Sequence, residues 1–212
     1  RGMFLRNTTK DPDFDAEAHK LFKSLNLDPS GSGGFGYNPL DPIFRDPVSG
    51  GTVFVGNQTA ASNRTLLDSH KITHVVNCTD NMANFHEAGT RGAMLGPGDG
   101  PGRPPLAYYR FNISYWHRHV DHSDDSVLAF VQPVFDFVDS AVASGASVLV
   151  HCLAGAHRAG TTGCLLLMYK ADMDKRTAIA SAKKLRPAID PIGSLPEFLE
   201  RFERAHTKPS VR

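Results

Sequence analysis

The sequence predicts an α/β fold, with a central, mostly parallel sheet flanked by helices. Two patterns carry that expectation. From Gly51 onward, short β-branched or apolar runs alternate with stretches of helical periodicity. In addition, the run Ser147–Val150 reads as a buried strand that feeds a Gly- and Ala-rich turn ahead of the next helix. With 212 residues, 41% of them hydrophobic, the chain can fill one core and leaves a surplus beyond a domain of about 150 residues.

The N-terminal stretch is the least regular. Ala18, Leu21, Phe22 and Leu25 recur at helical spacing and predict a helix within Asp15–Leu27. Asp28–Gly51 follows, rich in Gly and Pro, and its Gly31-Ser32-Gly33-Gly34 reads as a flexible connection. Residues 1–46 are therefore expected to be an arm with one helix, partly flexible, ahead of a compact domain over 47–206 and a tail over 207–212.

Within the domain, Thr52–Val55 is a β-branched run ended by Gly56, Asn63–His70 reads as helix, and Ile72–Asn77 as an apolar strand. Gly89–Pro105, with Gly-Pro-Gly-Asp-Gly-Pro-Gly at 96–102, reads as a long surface insertion. Tyr108–Ile113 is a further strand. Phe130–Ser144 is an amphipathic helix whose first turn is expected near Pro133, because proline suits the start of a helix and not its interior. After Ser147–Val150 come helices at Cys164–Tyr169, Lys175–Leu185 and Leu195–His206, the last two separated by a loop with Pro187, Pro191 and Gly193.

Composition excludes several classes of function. Lys and Arg total 23 against 22 Asp and Glu, so no basic surface for nucleic acid is expected. The longest apolar run, Cys164–Met168, is too short to cross a bilayer, and no membrane association is expected. Three cysteines, Cys78, Cys152 and Cys164, form neither a disulfide framework nor a zinc quartet. With no signal-peptide apolar region in Met3–Phe14, they point to a reducing compartment, cytoplasmic or nuclear. His117, His119 and His122 share one loop without a second cluster, so they are read as solvated and no metal is expected.

The informative stretch is Val148–Gly163, VLVHCLAGAHRAGTTG. A strand running through a Gly- and Ala-rich turn into a helix N-terminus gathers backbone N–H groups into one concavity, which suits an anion. Gly155 permits a backbone angle or close approach that a Cβ would hinder. Cys152 lies at the base of this nest, where the same partial positive charge favours thiolate over thiol. Arg158 can close the nest with a planar fork that grips two oxygens of a tetrahedral oxyanion. A phosphate cradle with a nucleophile beneath the phosphorus is the reading.

The motif His151-Cys152, five residues, then Arg158 resembles the dual-specificity branch of the cysteine-dependent protein tyrosine phosphatases, with a MAP-kinase-phosphatase-like catalytic domain. The resemblance spans about Val53–Glu203. It includes Phe54-Val55-Gly56-Asn57, Ile72–Thr79, and the closing Arg186-Pro187, Pro191, Gly193, Leu195, Phe198 and Phe202-Glu203. It implies hydrolysis of phosphotyrosine and phosphoserine or phosphothreonine in proteins, with no cofactor and a phosphorylated protein as partner; a monomer is expected, though nothing in the sequence fixes the oligomeric state. Cys152 would be the nucleophile, and Leu153, Ala154, Gly155, Ala156, His157 and Arg158 would bind phosphate. Arg158 would also stabilise the transition state. His151 would orient the loop and help to depress the thiol pKa.

The general acid implied by the resemblance is an Asp in the loop Ser114–Asp125. Counting back from Phe130 favours Asp121. Asp124 is the alternative, since Asp124 and Asp125 also suit the first turn of a helix. The family's Ser or Thr after the Arg is Ala159 here, which implies slow breakdown of the phospho-enzyme unless Thr161 or Thr162 substitutes. His157 is read either as a pocket-rim residue or as an exposed loop histidine, and Tyr115 or Trp116 as a cover that sets pocket depth. Several relatives hold a second Cys at the place of Cys78, which makes it a candidate redox partner of Cys152; the alternative is a buried strand thiol. Cys164 is read as core. Two other functions stay open: a phosphatase of a non-protein substrate (glucan, phosphoinositide or RNA phosphate), and a phospho-binding module without turnover.

Overall fold

The computed structural model describes residues 11–24, 37–87 and 104–207. In chain order the elements are α1 (Phe14–Ser24), β1 (Leu40–Arg45), β2 (Thr52–Gly56), α2 (Gln58–Ser62), α3 (Arg64–Ser69), β3 (Ile72–Asn77) and β4 (Ala107–Arg110). A 3-10 turn at Ile113–Arg118 then precedes α4 (Asp124–Ala143), β5 (Ser147–His151), α5 (Arg158–Ala171), α6 (Lys175–Leu185) and α7 (Leu195–Thr207). The strands form one sheet in the order β1-β2-β5-β3-β4, parallel except for the antiparallel edge strand β1. The predicted α/β architecture is the one observed.

Side-chain alternation explains why the central strands read as almost continuous apolar runs. Val53, Val55, Val76, Val148 and Val150 point to the face covered by α4, α5 and α7. Their neighbours Phe54, Val75 and Leu149 point to the other face, against Ala60, Ala61 and Leu67 of α2 and α3. A strand buried on both sides has no polar alternation to show. At the carboxyl end of the sheet, His151 lies opposite both Gly56 of β2 and Asn77 of β3. The segment after His151 therefore leaves the sheet from its middle, in the crevice where open α/β sheets place ligands.

Four sequence expectations change. The arm boundary at 46 falls just beyond β1, which belongs to the sheet. Pro42 hid it: the strand is an edge, where a missing N–H is tolerated, and its register slips between Pro42 and Phe44. The strand expected at Tyr108–Ile113 is Ala107–Arg110, and Ile113 opens the 3-10 turn instead. Helix α4 begins nine residues before Pro133, with Ser123 as N-cap accepting from the Ser126 amide at 3.1 Å. Pro133 is tolerated inside because it and Ala129, whose carbonyl loses its partner, both lie on the exposed face.

The fourth change concerns α5, which starts at Arg158 and runs through both Gly160 and Gly163. Those glycines are packing positions and not breakers. A Cβ on Gly163 would meet Val55 Cγ2 at 2.8 Å and Ile43 Cδ1 at 3.0 Å, so the helix lies against the sheet only without one. The Gly31–Gly34 connection, most of the Gly89–Pro105 insertion, and the tail beyond Thr207 lie outside the described residues.

By length and composition α4 could span a bilayer, but its Val127, Val131, Val134, Phe135, Val138, Ala141 and Val142 are buried in the core. The aromatic seam between α4, α7 and the 3-10 turn centres on Phe198. This residue has no exposed surface and sits 5.4 Å from the Trp116 ring and 5.7 Å from Phe130. Phe198→Ala should lower unfolding free energy by about 3–5 kcal/mol, read by urea titration.

Candidate active site

The loop between β5 and α5 is shaped by where its carbonyls go. Leu153 O accepts from the Gln58 amide at 3.0 Å, and Ala156 O from the Asp190 amide at 3.1 Å. Ala154 O accepts from Arg186 Nη2 at 3.2 Å and from the Tyr37 hydroxyl, and Gly155 O from Arg186 Nε at 2.9 Å. Every carbonyl from Leu153 to Ala156 is thus held from outside the loop. A peptide plane with its C=O turned out has its N–H turned in, so the amides face the centre. One is already engaged there: the Gly155 amide donates to Cys152 Sγ at 3.3 Å.

Gly155 is the tightest point. Its φ is +66°, and a Cβ would lie 2.4 Å from Gly56 O and 2.9 Å from Arg186 Nη2. No side chain fits there, which is what the sequence reading expected of this position. Arg186 is itself fully buried. It also donates to Asn38 O at 3.0 Å and pairs with Asp41 at 2.5 Å.

Arg158 opens α5 with its side chain buried and its Nε without a partner among the described residues. Burial opposes its charge, but Cys152 and Asp15 raise its pKa above the ordinary value. An unpaired buried guanidinium N–H is costly, so this donor is poised for an anion oxygen. Cys152 follows β5 and is almost fully buried. His151 is buried, neither ring nitrogen has a partner among the described residues, and burial pushes its pKa down to about 3. It is therefore neutral in the fold, which leaves it no positive charge with which to help depress the thiol pKa, and its place beneath the loop is one of packing.

His157 is buried, with Nδ1 on Asp190 O at 2.7 Å, so neither the rim nor the exposed-loop reading holds. The Thr161 hydroxyl is taken by His157 O at 2.6 Å and that of Thr162 by Arg158 O at 3.0 Å. Both make helical i−4 contacts that draw the hydroxyls towards the backbone of α5. Cys78 follows β3 as Cys152 follows β5, next to the paired Asn77 and His151. Its Sγ lies 3.4 Å from Thr162 Oγ1, and burial pushes its thiol up to about 12. Cys164 is core, as expected, with its thiol also raised to about 12 by burial.

The acid expectation is the largest correction. Asp121 is exposed, and its carboxylate accepts from the Ser123 hydroxyl at 2.6 Å and the Ser123 amide at 2.7 Å. These bonds hold it at about 2, far from a proton donor's range, and anchor the start of α4. Asp124 pairs with Arg204 at 3.1 Å. Neither lines the groove of about 800 Å³ that contains Arg158. Its carboxylates are Asp11, Asp13, Asp15, Asp80 and Glu197, and Tyr115, Trp116 and His117 also line it. The Tyr115 hydroxyl donates to Asp80 at 3.0 Å, and Trp116 Nε1 donates to Ser194 Oγ at 2.9 Å.

His119 stacks on Phe130 and His122 lies by Glu200 and Arg201, so the three loop histidines diverge. Sequence reasoning missed Asp80 and the Asp11–Asp15 run. The available signal was Asp-Pro-Asp-Phe-Asp itself, a dense carboxylate cluster just ahead of a helix.

Residues 53–205 match the family described as dual specificity phosphatase, catalytic domain, and the chain belongs to that family. It is 28% identical over 190 residues to mouse dual specificity protein phosphatase 19, covering 89% of this chain and 74% of the relative. To dual specificity protein phosphatase 1 of Arabidopsis thaliana it is 27% identical over 153 residues, 72% of this chain and 66% of the relative. The fold matches the crystal structure of human DUSP28 with a TM-score of 0.56 at 22% identity, over 80% of this chain and 96% of that one. It also matches PTPMT1 in complex with PI(5)P, with a TM-score of 0.55 at 19% identity, over 79% and 96%.

Two outcomes test the site. Arg186→Met should cut aryl-phosphate kcat/KM by at least about tenfold, because two loop carbonyls and Asp41 lose a buried partner. Its folded content should be followed by circular dichroism. For His151, the unfolded imidazole protonates below 6.5 and the folded one only near 3. Its contribution is therefore complete above 6.5 and lost as pH falls through that window. Urea midpoints at pH 7 and pH 5 should separate more for the native chain than for His151→Gln.

Proposed function

We propose that this phosphatase-family domain hydrolyses phosphotyrosine and phosphoserine or phosphothreonine in proteins through a cysteinyl-phosphate intermediate. The observation that carries this reading is the loop with all its carbonyls from Leu153 to Ala156 tied back, its amides turned towards Cys152, and the unpaired Arg158 Nε beside it. Such a cradle binds the three peripheral oxygens of a phosphoryl group and holds its phosphorus over the sulfur.

The thiolate of Cys152 attacks phosphorus, the P–O bond to the leaving group breaks, and a carboxyl protonates the departing oxygen. Water then loses a proton to that same carboxylate and attacks the cysteinyl-phosphate; the P–S bond breaks, giving inorganic phosphate and the free thiolate. The amides and Arg158 offset the charge on the equatorial oxygens in both steps. The proton donor has to reach the groove, and Asp80 does so from the carboxyl edge of the sheet where Asp121 and Asp124 do not. The Tyr115 hydroxyl on Asp80 orients that carboxyl.

A reducing compartment, cytoplasmic or nuclear, fits a nucleophile that must stay a thiol. The adjacency of Cys78 to Cys152 supports reversible inactivation by peroxide, in which Cys152 becomes a sulfenic acid and Cys78 displaces water to form a disulfide. Hydrolysis of a phosphoinositide is the second reading; it is favoured by the likeness in fold to PTPMT1 in complex with PI(5)P.

Cys152→Ser should abolish release of phosphate from phosphotyrosyl and phosphothreonyl peptides, and activity confined to a phosphoinositide would overturn the protein-substrate reading. Asp80→Asn should lower kcat at least about a hundredfold for alkyl phosphates and less for aryl phosphates with good leaving groups. Asp121→Asn should leave both within about twofold, since its carboxylate acts in a helix cap. The reverse pattern would return the acid to the loop ahead of α4.

A further inference from the structure

One wall of the groove beside Arg158 is built by the chain's own residues 11–15. Asp15, in the first turn of α1, forms an ion pair with Arg158 Nη2, and the Phe14 ring lies 5.6 Å from the same guanidinium. Asp13 accepts from the Asp15 and Ala16 amides at 3.0 and 3.1 Å, which caps α1 and fixes the direction of Asp15. Upstream, Asp11 accepts from the Ser194 amide at 2.9 Å and lies 3.7 Å from His117 Nδ1. Downstream, Ala18 and Phe22 pack with Ala154, Ala156 and Ala188, directly on the phosphate loop. Cys152 is left 3% exposed and does not line the groove.

We propose that Asp11–Ser24 is a tethered competitor for the phosphate site, with the Asp15 carboxylate standing where a substrate phosphate binds. This rests on the phosphate-binding reading of the loop and adds regulation to it. Arg158 presents a planar fork; Asp15 engages its Nη2 alone and leaves Nε unpaired, so the carboxylate takes one of the two places that a pair of phosphate oxygens would take. The carboxylate brings one negative charge and two acceptors; a phosphate monoester brings more of both and also fills the amides beneath. A phosphate ligand therefore displaces Asp15, and not the reverse, once its concentration is high enough.

The helix is built for release as well as for docking. Eleven residues are too few to hold a helix alone in water, so α1 depends on its contact with the loop. Its apolar side is narrow, with Phe14, Ala18 and Phe22 buried, while His19, Lys20, Lys23 and Ser24 face solvent. The Asp15 side chain is 41% exposed although Arg158 is only 5% exposed, so the carboxylate end of the pair is open to exchange with an incoming anion. A phosphorylated substrate that binds the loop removes the anchor at Asp15, and α1 loses the contact that keeps it folded.

The test uses the full chain with inorganic phosphate as the probe. Phosphate affinity is measured by calorimetry, and amide hydrogen exchange is followed in residues 14–24. Asp15→Ala should tighten phosphate binding by about tenfold, equivalent to about 1.4 kcal/mol. Phe22→Ala, which does not touch Arg158, should tighten it in the same direction by loosening the dock. Saturating phosphate should speed exchange in residues 14–24 of the native chain. Unchanged or weaker phosphate binding in Asp15→Ala would overturn the proposal, as would exchange in α1 that phosphate leaves unaltered; α1 would then be a fixed wall. Affinity is read without turnover, so tighter binding supports the competitor even where no variant hydrolyses a phosphopeptide. The two readings thus fail separately.

Discussion

The structure turns on one buried cation. Arg186 takes the outward carbonyls of Ala154 and Gly155 on one side, and the Asn38 carbonyl and Asp41 on the other. A guanidinium taken out of water is expensive unless its donors are satisfied, and here Nε, Nη1 and Nη2 all find acceptors. In return the phosphate loop cannot turn its carbonyls towards an incoming anion. A ring of inward amides is unfavourable by itself, because like dipoles converge on one point. Only external partners fixed by the rest of the fold keep it open.

Those partners come from widely separated parts of the chain. Gln58 opens α2, Tyr37 and Asn38 precede β1, Asp190 lies between α6 and α7, and Arg186 is the C-cap of α6. The sheet order brings them together, with β2 and β3 flanking β5. The missing Cβ at Gly155 is part of the same constraint, since the loop passes within contact of the Gly56 carbonyl. The geometry of the loop between β5 and α5 is thus a property of the whole carboxyl edge of the sheet.

The same edge explains why the site admits an acidic segment. In the proposed phosphate-binding role, Cys152 and Arg158 would concentrate affinity for oxyanions in a chain whose net charge is only +1, so that attraction would be local and short-ranged. In the tethered-competitor proposal, the Asp15 carboxylate paired with Arg158 is held at high effective concentration by its own chain. Asp11, Asp13 and Asp15 differ in role despite standing two residues apart. The first holds the start of α7, the second caps α1, and the third meets Arg158.

The sequence by itself determined the alternating architecture, the strand Ile72–Asn77, the helix Lys175–Leu185, and the pairing of Cys152 with Arg158 across a glycine turn. These are local facts: periodicity of side chains, the φ that only glycine adopts, and a spacing that spans one turn. Tertiary structure alone decided the rest. It placed Pro42 on an edge, where it forms a strand, and Gly163 under Val55, where it continues a helix. It assigned Asp121 to a cap and Asp80 to the groove, although the loop spacing favoured the former. It laid Asp15 on Arg158 across 143 residues of chain. A carboxylate's role depends on which donors surround it, and those donors are set by packing between elements, which sequence spacing within one element does not encode.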